Sequence, residues 1–108
     1  MSERGSSIDL SALAEIDRLI HEPARLMILA LLYVLDSADF LFLLNQTGLT
    51  WGNLSAHLSK LEQANYIQVE KTFQSRRPHT LLRMTPEGRQ AFQNYRQNMQ
   101  QVFERLPK

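Results

Sequence analysis

A mainly α domain carrying one small β-hairpin, α+β by class, is what this sequence predicts, and three observations predict it. Apolar residues recur at helical spacing in five separate segments, each opened by a Ser, Thr, Asp or Pro that suits a helix start. Two apolar, strand-like runs, YIQVEKTF and TLLRMT, flank the polar hexapeptide QSRRPH, Gln74 to His79, as in a hairpin. Size is the third: 108 residues with 44% hydrophobic content suit one modest core and argue against wholesale disorder.

In order, SSIDLSALAEIDRLI offers Ser or Asp caps followed by Leu10, Leu13, Ile16, Leu19 and Ile20 at helical spacing, which predicts a first helix. HEPARLMILALLYVL places Pro23 where a first turn tolerates it, because the missing N–H would be unpaired there. The second helix, from there to about Leu35, is apolar nearly all round and so belongs at the centre. Asp39 caps a short third helix, which Gly48 ends by accepting a left-handed backbone. Thr50 starts a fourth, the hairpin comes next, and Thr85 with Pro86 opens a long tail helix.

Charge and composition exclude several functions. With no cysteine there are no disulfides, zinc ribbons or thiolate metal sites, which fits a cytoplasmic location. The start MSERGSSIDL has no apolar h-region, so no secretory leader is expected. The longest apolar run, Leu26 to Leu35, is about half of a bilayer span, so no membrane partner is expected. Net charge is only +1, but it is unevenly spread: residues 1–59 carry three Lys/Arg against seven Asp/Glu, residues 60–89 six against three. Local positive charge around the hairpin is the footprint of a polyanion partner.

The fourth helix, TWGNLSAHLSKLEQANY, carries the functional signal. Leu54, Leu58 and Leu61 share a narrow arc, while Gly52, Ala56, Ser59, Lys60 and Gln63 lie on or near the opposite side. A face that merely met water would more commonly carry Glu and Lys, whereas small residues suit close approach to another surface. A short helix, a QTGL turn, a helix with a slender exposed face and a ribbon with a basic tip make up a winged helix-turn-helix. The major groove of double-stranded DNA admits one helix, and the wing at residues 74–79 would lie on the flanking backbone or minor groove. Arg76 and Arg77 would meet phosphates, and Pro78 would stiffen the loop.

HEPARLMILALL, LTWGNLSAHLSKLEQANYIQVEKTF and RRPHTLLRMTPEGRQAF, in that order, resemble the winged-helix transcriptional regulators of the MarR and ArsR type, in their compact branch. The resemblance runs from about Ile20 to Phe92. It implies groove-facing roles for Trp51, Gly52, Ser55 and Ala56, phosphate contacts near Thr50 and Asn53, and wing contacts at Arg76 and Arg77. Bulkier groove-facing residues common in such regulators are replaced here by Gly52 and Ala56. Specificity then leans on Trp51, Ser55 and DNA shape. Ser59, Lys60 and His79 complete the expected DNA-binding set.

Each singled-out residue has a plainer role to weigh. Trp51 either faces DNA or lids the core. His57 is more often a packed histidine than a contact. His79 meets a phosphate or pairs across the hairpin. Asp17 and His21 alone could begin a metal site, and two such residues are a common surface pair, so neither metal nor cofactor is expected. Catalysis is excluded by the missing phosphate loop, HExxH and cysteine nucleophile, and the acids Asp17, Glu22, Asp36 and Asp39 sit at helix ends where capping explains them. The competing reading is a winged-helix protein–protein interaction module without DNA binding.

Along the tail, Phe92, Tyr95, Met99, Val102, Phe103 and Leu106 form an apolar stripe that looks too long for so small a domain to cover. The expected architecture is therefore a single domain over 1–108: an N-terminal helix at 1–20, a winged helix-turn-helix core at 21–85, and a C-terminal dimerisation helix at 86–108. Leu13, Ile16 and Ile20 with Phe92, Tyr95, Met99, Val102 and Phe103 would form a homodimer seam. Such a dimer would read half-sites about one helical turn apart. Folding back of the tail on its own domain is the alternative. The resemblance also implies that a cleft between the tail helix, the second helix and the DNA-binding part could hold an apolar small-molecule effector of unknown identity.

Overall fold

The structure, a computed structural model, describes residues 8–108. Ser6 and Ser7, candidate caps of the first helix, lie outside them. In place of the predicted first helix stands a shorter element, a 3-10 turn at Ser11–Glu15, after which Ile16 is extended. The cause is Asp17. Its Oδ1 accepts from the backbone N–H of Leu19 (2.9 Å) and Ile20 (3.2 Å), donors that a continuing helix would use. Its other oxygen accepts from the Tyr66 hydroxyl, which ties the segment to the start of the hairpin. Ile16 and Ile20 are thereby buried in the central core.

Helix α1, Pro23–Leu35, has Pro23 in its first turn and Glu22 as cap, Oε1 accepting from Arg25 N at 2.8 Å. That hydrogen bond holds the Glu22 carboxyl below the usual carboxylate range, against the opposing effect of burial. The helix is central as expected, packing against β1 and β3 and against all three other helices. It ends at Asp36, a non-glycine residue at φ 66°. Arg89 clasps that end: its Nη2 donates to Asp36 Oδ1 (2.6 Å) and to the Tyr33 carbonyl (3.3 Å), with the guanidinium 4.5 Å above the Tyr33 ring.

Strand β1, Ser37–Asp39, has no counterpart in the sequence pattern; it is too short for alternation to show. It pairs antiparallel with β3, Ala38 opposite Leu82. Asp39 then caps α2, Phe40–Thr47, accepting from Phe42 N at 2.8 Å, and Gly48 stops it at φ 69°. Thr50 caps α3, Trp51–Gln63. Strands β2, Ile67–Gln74, and β3, Arg77–Met84, form the wing in a sheet ordered β1-β3-β2. Thr85 caps α4, Pro86–Glu104, accepting from Gly88 N (2.9 Å) and donating to Asn65 O (2.6 Å).

One core holds these elements: Ile20, Ile28, Leu29, Leu32, Leu43, Leu54, Leu61, Ile67 and Leu82 are fully buried in it. The expected bare stripe on the tail is largely covered by its own chain. Tyr95 belongs to the core, Phe92 and Met99 pack against it, and Val102 is buried where the Ser11–Glu15 segment runs along α4. Phe103 remains exposed, as does Leu13.

Candidate nucleic-acid interface

Helix α3 turns Leu54, Leu58 and Leu61 inward and Trp51, Gly52, Asn53, Ser55, Ala56, Ser59 and Lys60 outward. The phase follows from 3.6 residues per turn acting on a leucine arc. The outward row opens at the helix's positive end: Thr50 Oγ1 accepts from Asn53 N at 3.2 Å, which leaves both side-chain positions there. A Cβ built on Gly52 would meet nothing within 4 Å. Among the described residues nothing therefore requires a glycine there.

Trp51 takes the lid position and keeps much of its ring exposed. Its ring lies 4.6 Å from that of Phe40, at 43°, yet the residue is 61% exposed. One face lids the core and the rest is free. His57 is the packed histidine: its Nδ1 lies 3.1 Å from Arg25 Nη1. Arginine has only donors, so Nδ1 accepts and the ring proton sits on Nε2. Arg25 Nε also donates to Leu19 O at 2.6 Å, so this network braces α3 against the start of α1.

The wing is longer and its loop shorter than the hexapeptide predicts. Strand pairing continues to Gln74 opposite Arg77, and only Ser75 and Arg76 turn the chain. Both have positive φ, 51° and 66°, as a hairpin turn matched to the strand twist requires. Pro78 therefore lies in β3 rather than stiffening a loop. It is tolerated because Gln74 and Arg77 form the hydrogen-bonded pair at the turn, so the next pair, Phe73 with Pro78, exchanges no hydrogen bonds. Strand β1 stops at the level of Leu81 and reaches none of this.

Alternation sorts the wing into two faces. Val69, Lys71 and Phe73 share one with Leu82, Thr80 and Pro78; Arg77 and His79 lie on the other, and Arg76 at the tip. Arg76 and Arg77 are exposed, whereas His79, opposite Thr72, is half-buried. The first face and α3 wall a groove of about 920 Å³, lined by Trp51, Ser55, Ser59, Glu62, Lys71 and Thr80 among others. Sequence reading misses Lys71 and Thr80, since only the strand register puts them opposite the helix.

The acids weighed as catalytic pairs all have structural partners: Glu22 and Asp39 cap helices, Asp36 holds Arg89, and Asp17 holds Tyr66. Asp17 and His21 diverge, since His21 Nδ1 lies 2.8 Å from the Tyr95 hydroxyl. Among the described residues no helix is long and apolar enough to cross a membrane.

A short helix, a tight turn, an exposed slender helix and a basic hairpin against one core define a winged helix-turn-helix protein. The chain belongs to the winged helix DNA-binding domain family, whose model matches residues 24–103. It is thus a winged-helix DNA-binding regulator. It is 38% identical over 78 residues to an uncharacterized protein of Methanocaldococcus jannaschii, covering 72% of this chain and 85% of that one. A transcriptional regulator homologue from Pyrococcus horikoshii superposes with a TM-score of 0.82 at 26% identity, covering 87% of this chain and 95% of that one. NadR, solved in complex with 4-hydroxyphenylacetate, shares the fold, with a TM-score of 0.66 at 19% identity over 87% of this chain and 69% of its own.

Proposed function

We propose that this DNA-binding regulator acts as a homodimer on specific double-stranded sites, with α3 in the major groove and the tip at 74–79 on the flanking backbone or minor groove. The observation that carries this is the outward row of α3. Gly52, Ser55, Ala56 and Ser59 are small and exposed, and at Gly52 no contact among the described residues accounts for the smallness. A groove floor close to the helix accounts for it. Thr50 and Asn53 sit where phosphates meet a helix N-terminus, Lys60 on the same exposed side, and His79 beside the wing.

The arginine in the turn points the same way. Glycine and asparagine suit a left-handed turn position, and an ordinary side chain there costs about 1–2 kcal/mol. Arg76 at φ 66° is thus a charge kept at the tip against local stability.

Dimerisation draws on shape. The Cα radius of gyration is 17.3 Å, against about 13 Å for a compact chain of this length. Arg105 Nη1 stands 3.8 Å from Asp9 Oδ2, so the N-terminal segment meets the far end of α4. Four of the exposed apolar residues, Ile8, Leu13, Phe103 and Leu106, lie on these two segments. Ile16, Ile20, Tyr95 and Val102, which the sequence assigns to the seam, serve the chain's own packing instead, with Phe92 and Met99 half-committed to it.

An effector belongs, in this reading, to the cavity of about 420 Å³ beside Asp17, Tyr66, Asn94 and Tyr95, whose walls are more polar than the apolar cleft expected. NadR's ligand makes a small aromatic acid the first compound to try there. The cytoplasm is the compartment that fits a DNA partner.

Binding to random-sequence duplex as a function of salt tests the proposal. Replacing Arg76 and Arg77 with alanine should weaken binding evenly across sequences and flatten the log-affinity against log-salt slope by about one to two. No measurable duplex binding at low salt would leave the protein–protein module as the better reading.

A further inference from the structure

The wing tip carries an apolar pair that phosphate contact does not explain. Phe73 is 75% exposed, and Pro78 lies directly across from it in a pair without hydrogen bonds, the closer of the two antiparallel spacings. The ring and the pyrrolidine therefore stand together. They lie on the face of the wing that looks toward α3, one step beyond Lys71 and Thr80; Pro78 lines the end of the groove and Phe73 extends its wall beyond that lining.

Charge surrounds this pair: Lys71 shares its face, Arg76 holds the tip, and Arg77 lies on the opposite face of β3. From Lys71 to Thr80 the chain holds Lys71, Arg76 and Arg77 and no acid. An apolar tip ringed by cations is complementary to a base step between two phosphate strands: the cations meet the strands, and the apolar pair meets the stacked bases. It is poorly matched to another copy of itself, because two such tips would bring six cations together. A general apolar protein surface would leave those cations without partners.

We infer that Phe73 and Pro78 form a wedge that enters the minor groove flanking the α3 site, partly unstacks one base step and bends the duplex. This rests on the DNA-binding reading above. Side chains used in this way are apolar, phenylalanine and proline among them, and they kink DNA by roughly 20–90°. The energetic cost of unstacking is least at pyrimidine–purine steps, so the wedge also selects sequence without touching a base edge. That is consistent with an α3 face whose small residues read few base edges directly.

The test uses the full chain and a duplex selected from a random pool for tight binding. The duplex carries an end-to-end energy-transfer pair and 2-aminopurine placed in turn at each step under the wing. The expected result is shortened end-to-end distance, a rise in 2-aminopurine emission confined to one step per half-site, and enrichment of TA or CA/TG at that step. Phe73→Ala should lose the bend and the emission and roughly tenfold in affinity for the selected duplex, with random-duplex affinity changed less than about threefold. Phe73→Leu should keep most of the bend.

Tight binding by the native protein with an unbent duplex and flat emission at every step would overturn the wedge while leaving DNA binding intact. Absence of binding to any duplex would fail the underlying reading instead. A Phe73→Ala protein that changes its association state by light scattering would show that the ring meets a second copy, which also overturns the proposal.

Discussion

A Cβ on Gly88 would stand 2.1 Å from the carbonyl oxygen of Tyr66. The first turn of α4 thus runs over the backbone that leads into the wing, and Thr85 N donates to the same carbonyl at 3.1 Å. With Thr85 Oγ1 on Asn65 O and the Asn65 amide on Glu87, this contact docks the tail helix onto the end of α3 and the base of β2. The wing's angle to α3 depends on it.

Gly88→Ala should therefore be among the most damaging single-methyl additions, since the obstacle is backbone and cannot turn aside. A loss of about 1–3 kcal/mol or more is expected in urea unfolding. A variant as stable as the native chain would show that the approach is looser than 2.1 Å implies.

Arg76→Gly should move stability and binding in opposite directions. Relieving φ 66° should add about 1 kcal/mol to the hairpin, while the lost cation should weaken duplex binding and lower the salt slope by about one. Parallel melting and salt-titration series separate the two effects. A variant that binds as tightly as before would remove Arg76 from the interface.

Ala56→Glu should abolish duplex binding and leave the melting temperature within about a degree or two, because the position is exposed and outside the core. A drop of several degrees would mean that the helical phase assigned to α3 is wrong.

Phe103→Glu tests the dimer without unmaking the fold, as Phe103 is 63% exposed whereas Tyr95 and Val102 support the chain itself. Sedimentation should show a dimer for the native chain and a monomer for the variant, with binding to a palindromic site lost more completely than non-specific binding. A native monomer at tens of micromolar, a concentration typical of weak dimers, would remove operator symmetry from the proposal.

At alkaline pH the tie between Tyr66 and Asp17 should fail. Burial pushes the Tyr66 hydroxyl up to about 12, and its hydrogen bond to Asp17 and the nearby carboxylate charge add to the shift. The folded value lies above the unfolded value of 10.0, so the stabilisation is whole below that pH and is lost as pH climbs toward about 12. Urea unfolding followed from neutral to alkaline pH should show this arm in the native chain and less of it in Tyr66→Phe. Equal slopes in the two proteins would separate Tyr66 from the alkaline loss.

The elements legible from sequence are those governed by local chemistry. Pro23, Asp39, Thr50, Thr85 and Pro86 each start a helix where capping rules put a start, and Gly48 ends one. The leucine arc of α3 fixes which side faces out, because helical periodicity is a property of the chain alone. The family resemblance is legible for the same reason, as it rests on runs of these signals in order.

What tertiary structure decided lies wherever two distant segments compete for one group. The first helix stops at Glu15, where Asp17 takes the Leu19 and Ile20 N–H groups on one oxygen and with the other holds Tyr66, forty-nine positions away. Strand β1 exists only because β3 offers it a ladder, and the wing's loop shrinks to Ser75 and Arg76 because pairing persists to Gln74 and Arg77. The tail stripe is covered by the central core and by an N-terminal segment whose return to α4 no local pattern records. Sequence by itself determined the winged-helix class and the outward face of α3, through propensity, capping and period. The partition of apolar surface between core, groove rim and free ends was decided by long-range packing, which depends on which segments meet and not on any one of them.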